Sequence, residues 1–293
     1  MIFIFRKEQT PKMFNFENFH KQTKSIFPTS FQGLRADITK NFSPNFSVMH
    51  NISDSYQFGS MFLNDNVFMQ AMVGLKSGLF RLNQKMFEHK TAQVIAKAQH
   101  QMNTQGQQTQ TEVEYISDFN CANLKWIPGV LNSVGYLHKV TEQFILGVEV
   151  YQAAELGVSV SVQHTGTPIL ENKEAAPPVP VGFTYMPFVS PEFCLSVTKS
   201  PSNQTVTASY SHPLSEKVSL ASELSVTPSG SLTQIGARYI FQQAMIRVGL
   251  DTLGKVSSVM EYRLMPGITV GISGELDHSK GEQKAGISLT MEQ

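Results

Sequence analysis

Glu112 and Glu114 flank Val113 in the run Thr111-Glu112-Val113-Glu114-Tyr115. On an extended chain this spacing puts both carboxylates on one face and the valine on the other. Acids repeated on one wet face suit Coulomb attraction of a cationic ligand, screened over ~8 Å at physiological salt. By the same alternation Glu149, Glu223, Glu261, Glu275 and Asp277 fall on polar faces, and so do Lys97, Arg238, Arg247 and Arg263. Glu261 beside Arg263, and Arg247 near Asp251, are spaced for ion pairs. Catalysis has no such footing. The histidines (His20, His50, His89, His100, His138, His164, His212, His278) form no HExxH and no paired-ligand spacing, and no serine sits in a nucleophile elbow. No catalytic, metal-binding or cofactor-binding residue is therefore expected. Cys121 and Cys194 lack metal-ligand spacing and are expected as buried or lipid-facing thiols, not a disulfide. A net charge of zero, from 23 residues of each sign, argues against nucleic acid as a partner.

Strands must position these residues. Val218, Leu220, Leu224 and Val226 oppose Ser219, Ala221, Glu223 and Ser225, and similar period-two runs dominate from residue 31 onward. Polar turns such as Ser200-Pro201-Ser202-Asn203 and Pro228-Ser229-Gly230 separate them, so successive strands are antiparallel neighbours. Twenty runs qualify, the first at 31–42 and the last at 284–292, with 155–165 and 181–187 among them. A sheet of that size closes or splits. Closure removes the edges that lipid cannot satisfy and leaves an aqueous channel. The composition, 16% charged and 41% apolar, suits a wall with one lipid-facing and one wet side. One or two soluble β-sandwiches would alternate in the same way.

Two segments depart from this period. Phe16, Phe19, Thr23, Ile26 and Phe27 recur at helical spacing, with Asn15 able to cap and Pro28 to stop. The spacing predicts an amphipathic helix over 16–27, placed to line or plug a barrel or to lie on a membrane. Proline density in Ala176-Pro177-Pro178-Val179-Pro180 makes 166–180 an exposed loop insertion. The chain thus divides into an N-terminal segment, 1–30, and a barrel, 31–293. Met1 to Phe5 is too short for a signal-peptide core. Gln99 to Gln110 is rich in glutamine and reads as a polar strand end with a turn.

The last run, Lys284-Ala285-Gly286-Ile287-Ser288-Leu289-Thr290-Met291, sets a polar residue, a glycine and two large apolar residues at Lys284, Gly286, Leu289 and Met291. It resembles the signal by which outer-membrane barrels are recognised and inserted. Phe16-Glu17-Asn18-Phe19-His20-Lys21-Gln22-Thr23-Lys24-Ser25-Ile26-Phe27-Pro28 matches F-E-x-x-H-x-x-x-K-x-x-F-P, followed by Phe31-Gln32-Gly33-Leu34-Arg35-Ala36-Asp37, Asn45-Phe46-Ser47-Val48-Met49-His50 and Tyr56-Gln57-Phe58-Gly59. In this order the chain closely resembles the channel-forming subunit of the mitochondrial outer-membrane protein translocase, within the mitochondrial porin superfamily.

That resemblance implies an all-β, up-and-down transmembrane barrel of 19 strands, the first and last parallel, with the N-terminal helix in the lumen. Against twenty candidates it leaves a surplus, expected at 155–180 as a hairpin extending beyond the membrane. It implies import of unfolded precursor polypeptides bearing basic presequences across the mitochondrial outer membrane. Glu112, Glu114, Glu149, Glu223, Glu261, Glu275 and Asp277 are then the lumen acids that could meet cargo, the first two foremost. Implied partners are receptor subunits, small single-helix subunits, membrane lipids and further barrels. Only about fifteen residues precede the helix, which weighs against receptor docking by a tail. The alternative is a mitochondrial porin passing metabolites and anions. Gly286→Ala combined with Leu289→Gln should block insertion into the outer membrane without lowering synthesis. Carbonate extraction of the newly made protein is the check, and normal assembly of the double variant would remove the insertion signal.

Overall fold

A computed structural model describes residues 19–53, 55–75, 77–89, 92–103, 106–153, 155–166 and 191–293. Their strands, in chain order, are β1 Gly33–Ser43, β2 Phe46–Ile52, β3 Tyr56–Leu63, β4 Val67–Gly74, β5 Ser77–His89 and β6 Ala92–Asn103. Next come β7 Gly106–Ser117, β8 Asn120–Ile127, β9 Leu131–Lys139, β10 Phe144–Gln152, β11 Leu156–Thr165, β12 Glu192–Lys199 and β13 Gln204–Pro213. The last six are β14 Val218–Thr227, β15 Gly230–Ile240, β16 Ala244–Asp251, β17 Lys255–Met265, β18 Ile268–Asp277 and β19 Glu282–Glu292. Each strand pairs antiparallel with the next, so the described residues form one nineteen-stranded sheet. It closes where β1 meets β19 in parallel, from Gly33 opposite Gly286 to Thr39 opposite Glu292. An odd number of strands in strict up-down order requires that one parallel pair. One continuous closed sheet excludes the stacked sheets of a sandwich.

The strand at 156–165 belongs to the wall. β11 pairs along its length with both β10 and β12, so the surplus expected at 155–180 does not include it. Candidate strand 181–187 and the proline-rich loop 166–180 lie outside the described residues, save for Gly166.

Alternation sorts the wall into two faces. Val113, Tyr115, Leu124, Trp126, Val134, Tyr136 and Val148 point outward and are each exposed by 43% or more. Their neighbours Glu112, Glu114, Asn123 and Ser133 point inward and are buried. A soluble sheet would cover an apolar face of this extent, whereas lipid accepts it. No helix among the described residues is long and apolar enough to cross a membrane. The turns are tight: at Gly267 (φ 84°) the chain reverses between β17 and β18, and the Glu292 N–H donates to the Gly267 carbonyl at 2.7 Å.

The helix expected over 16–27 is shorter where described. Only Lys21–Lys24 is helical, here α1, because His20 takes a left-handed conformation (φ 60°) that a helix cannot pass through. Phe16 lies outside the described residues.

Cysteines introduced at Ala36 and Leu289, paired across the seam, should be joined by a short bifunctional thiol reagent. With Cys121 and Cys194 replaced by serine, gel mobility should reveal one internal cross-link. A chain whose β1 and β19 are separate edges would give none.

Candidate functional site

The inner wall gathers every acid singled out in the sequence, but in different company. Lys97 Nζ lies 2.6 Å from Glu114 and 4.0 Å from Glu112, and both acids are buried, at 2% and 4% exposure. Their neighbours on β6 and β8 dictate this: Lys97 and Lys125 both stand opposite Glu112 in the register. The expectation of two solvated carboxylates therefore fails. They form a partly neutralised cluster whose burial makes the lysine structurally important. Glu275 is shared by Lys255 at 3.1 Å and Lys284 at 3.4 Å, and it accepts a hydrogen bond from the Ser30 hydroxyl. Glu261 pairs with Arg247 at 3.0 Å, on the adjacent strand. This replaces the expected partners Arg263 and Asp251, since side chains two apart on one strand project in parallel, whereas cross-strand neighbours converge. Asp251 instead accepts the N–H groups of Leu253 and Lys255 in its own turn. Asp277 does likewise, taking Ser279 N–H at 3.0 Å, its hydroxyl at 2.6 Å and Lys280 N–H at 3.1 Å, at the barrel's rim. Glu149 and Glu223 are half-buried on the wall, Glu149 opposite Ser159 and Glu223 opposite Ser209.

Two further charges are buried. Glu192 is 3% exposed and accepts from the Cys194 thiol, and Arg238 is 6% exposed and donates to the Ser219 hydroxyl at 3.4 Å. Arg238 was legible by parity as inward, but nothing marked its burial. Both cysteines are free and buried on this face.

Residues 19–31 lie along the polar face. Phe19 packs with Ile116, Cys121 and Leu137, from β7, β8 and β9. One residue on, the two ring nitrogens of His20 reach Ser209 Oγ at 2.6 Å and Ser196 Oγ at 2.7 Å. Ile26 is fully buried. Inward glycines then make room for bulk: a Cβ at Gly236 would lie 2.7 Å from the Phe27 ring, and one at Gly249 would lie 3.0 Å from Pro28. Phe31 donates its N–H to Ser273 Oγ at 3.0 Å.

This contact also reassigns part of the C-terminal run. Gly286 faces inward, and a Cβ there would come within 2.7 Å of the Phe31 ring. The glycine thus has a packing reason besides any insertion signal. Lys284 shares its face, beside Glu275, while Leu289 and Met291 take the other face with Ala36 and Ile38 opposite them.

The eukaryotic porin family model matches residues 12–286. The chain is 27% identical to the mitochondrial import receptor subunit TOM40 of Saccharomyces cerevisiae, over 94% of this chain and 77% of that protein. It is also 27% identical to mitochondrial import receptor subunit tom40 of Neurospora crassa, over 89% and 77%. The TOM40 homolog of Xenopus tropicalis is 21% identical over 98% and 86%. In fold, a Rhodopseudomonas blastica porin superposes with a TM-score of 0.52 at 7% identity, covering 78% of this chain and 94% of that one.

His20 gives this site a pH dependence. Burial, helped by the Lys24 charge, pushes its imidazole down from the ordinary 6.5 to about 4. Between those two values the unfolded chain binds a proton that the folded chain does not, so stability is full above 6.5 and falls as pH drops toward 4. In detergent, the wild-type Tm should decline more than that of His20→Gln between about pH 7 and 5. Parallel profiles would show that His20 is not held neutral in the folded protein.

Proposed function

The chain belongs to the eukaryotic porin family, and we propose that within it this barrel conducts unfolded precursor polypeptides across the mitochondrial outer membrane. The observation that carries this is identity along nearly the whole chain to proteins named as mitochondrial import receptor subunits. The closed sheet with an apolar exterior and a polar interior is the physical counterpart, since it spans lipid while its inner face stays wet. The protein is a channel in the outer membrane and not an enzyme. Passage of metabolites and anions through the same bore is the second reading. The import names of the relatives favour polypeptide cargo.

A basic presequence entering this pore meets the inner carboxylates. Glu149 and Glu223 are the stronger candidates for contact, because they are less enclosed than Glu112 and Glu114, whose charge Lys97 already offsets. Glu261, Glu275 and Asp277 act chiefly on their neighbours and shape the lumen field. Residues 19–27 line the lumen as an inner segment. The contacts of Phe19 and Phe27 with the inner wall and the burial of Ile26 support that placement, and it would narrow the bore. Lys284, Gly286, Leu289 and Met291 serve as the insertion signal. The outer apolar wall offers lipids, receptor subunits, single-helix subunits and neighbouring barrels a surface to bind.

Each accessible carboxylate is worth at most about 1 kcal/mol to a passing cation, as exposed ion pairs are. Glu149→Gln with Glu223→Gln should therefore slow import of a presequence-bearing precursor several-fold and flatten its salt dependence. Barrel assembly should not change, because lumen substitutions cost little. Recordings in planar bilayers with a presequence peptide check this directly. A wild-type pore that no peptide blocks would favour the metabolite channel.

A further inference from the structure

The outer wall is hollowed at its rim, where the turn from β15 to β16 meets β17. Tyr239 and Phe241 stand on one side, their ring centroids 4.3 Å apart, and Met260 and Tyr262 stand on the other. Between them Ala244 opens β16, opposite Tyr262 in the register, and its carbonyl accepts the Phe241 N–H at 2.7 Å. Ala244 shares the outward face of Val248 and Leu250, yet it is only 7% exposed, because its methyl forms a floor among large walls. The recess holds about 570 Å³, and Lys217 and Gln243 form its polar corner. Main-chain bonds fix that corner: Ile240 N–H donates to the Lys217 carbonyl and Arg263 N–H to the Gln243 carbonyl, each at 2.8 Å. The Tyr262 hydroxyl donates to Gln243 Oε1 at 3.2 Å, so the N–H groups of that amide remain for another acceptor. Among the described residues Lys217 forms no salt bridge, and its neighbour Glu216 does not line the recess. The outward tyrosines Tyr136, Tyr210, Tyr239 and Tyr262 all lie near the C-terminal ends of odd-numbered strands, at this one rim. Such an aromatic belt marks the level of lipid headgroups.

We propose that this recess seats one glycerophospholipid, its phosphate held by Lys217 and Gln243 and one acyl chain laid over Ala244 between Phe241 and Tyr262. The inference needs only that the wall spans lipid, and it is independent of what passes through the bore. Size agrees, since built ligand sites enclose roughly 300–1,000 Å³. Depth agrees too, because the polar corner lies at the tyrosine belt while Ile246 and Met260 extend the recess toward the middle of the wall. Phosphodiester oxygens are acceptors only, and an ammonium with an amide N–H supplies the donors they need. The lysine stem covers apolar surface while its charge stays at the interface. One positive charge balances the single negative charge of a phosphodiester and leaves the headgroup beyond it unselected. A membrane-spanning helix satisfies its own main chain and brings no obligatory anion to this depth, so it would leave Lys217 without a partner.

Native mass spectrometry of the barrel released from a non-ionic detergent gives the test, with dioleoylphosphatidylglycerol and dioleoylglycerol as probes. The phospholipid should saturate at one tightly held copy per barrel. Dioleoylglycerol has the same chains without the phosphate and should bind about tenfold more weakly, as loss of a hydrogen bond to a charged group implies. Lys217→Gln with Gln243→Leu should bring the phospholipid down to the level of dioleoylglycerol, and Lys217→Arg should retain it. Ala244→Trp, which fills the floor, should weaken both lipids. The comparison of the two lipids on the wild-type barrel stands even if the tryptophan variant misassembles. Equal binding of the two lipids, or uptake that never saturates, would overturn the inference and leave an ordinary lipid annulus. Phospholipid binding that survives Lys217→Gln with Gln243→Leu would overturn it by placing the lipid elsewhere. A photoreactive side chain at Ile246 that labels a membrane polypeptide in mitochondria, and no phospholipid, would overturn it as well and make the recess a subunit seat. None of these outcomes touches the import reading, which the presequence recordings decide separately.

Discussion

Main-chain hydrogen bonding in a medium without water governs this molecule. A strand edge exposed to lipid leaves N–H and carbonyl groups with no partner, at several kcal/mol each, so the sheet has to return on itself. Nineteen strands in up-down order close only by setting β1 parallel to β19. Closure creates an inside and an outside, and alternation assigns every residue to one of them. The polar character of the inner wall is thus the second half of a requirement whose first half is satisfied outside, by Val113, Tyr115, Leu124 and Trp126.

Much of this was legible from residue types. Nineteen of the twenty alternating runs correspond to wall strands, and the faces of Glu112, Glu223 and Glu275 follow from parity alone. Alternation is a one-dimensional signal, however, and it cannot report what stands across a strand. The Lys97 cluster joins residues 15 and 17 positions apart, and the pairing of Arg247 with Glu261 spans a turn, so both depend on register. Register comes from turn lengths and from the bulges in β1, β5 and β17, which periodicity does not reveal.

The N-terminal segment was hidden for a different reason. Its apolar spacing suits a long helix, but tertiary contacts override that preference at His20, where the wall serines Ser196 and Ser209 hold the ring and the backbone turns left-handed. Gly236, Gly249 and Gly286 look in sequence like ordinary small residues of a polar face. Only with Phe27, Pro28 and Phe31 against them do they become the floor of a track. The glutamines of β6 and β7 show the converse. Their composition suggested a polar strand end with a turn, and the register sets Gln99 opposite Gln110 and Gln101 opposite Gln108.

The seam sets when this protein can exist. Gly33 and Gly286 are partners separated by 253 positions (286 − 33), and the next six pairs along the seam are as distant. Contacts of such high order form late, because loop-closure entropy is lost before any of their bonds is made. No partial chain emerging from a ribosome can satisfy β1 until β19, its second neighbour 253 positions later (286 − 33), has been made. Until then the nascent polypeptide has an open edge beside an apolar face, the combination most prone to aggregate. Synthesis and folding must therefore be separated in time, with the finished chain shielded from water until lipid receives it.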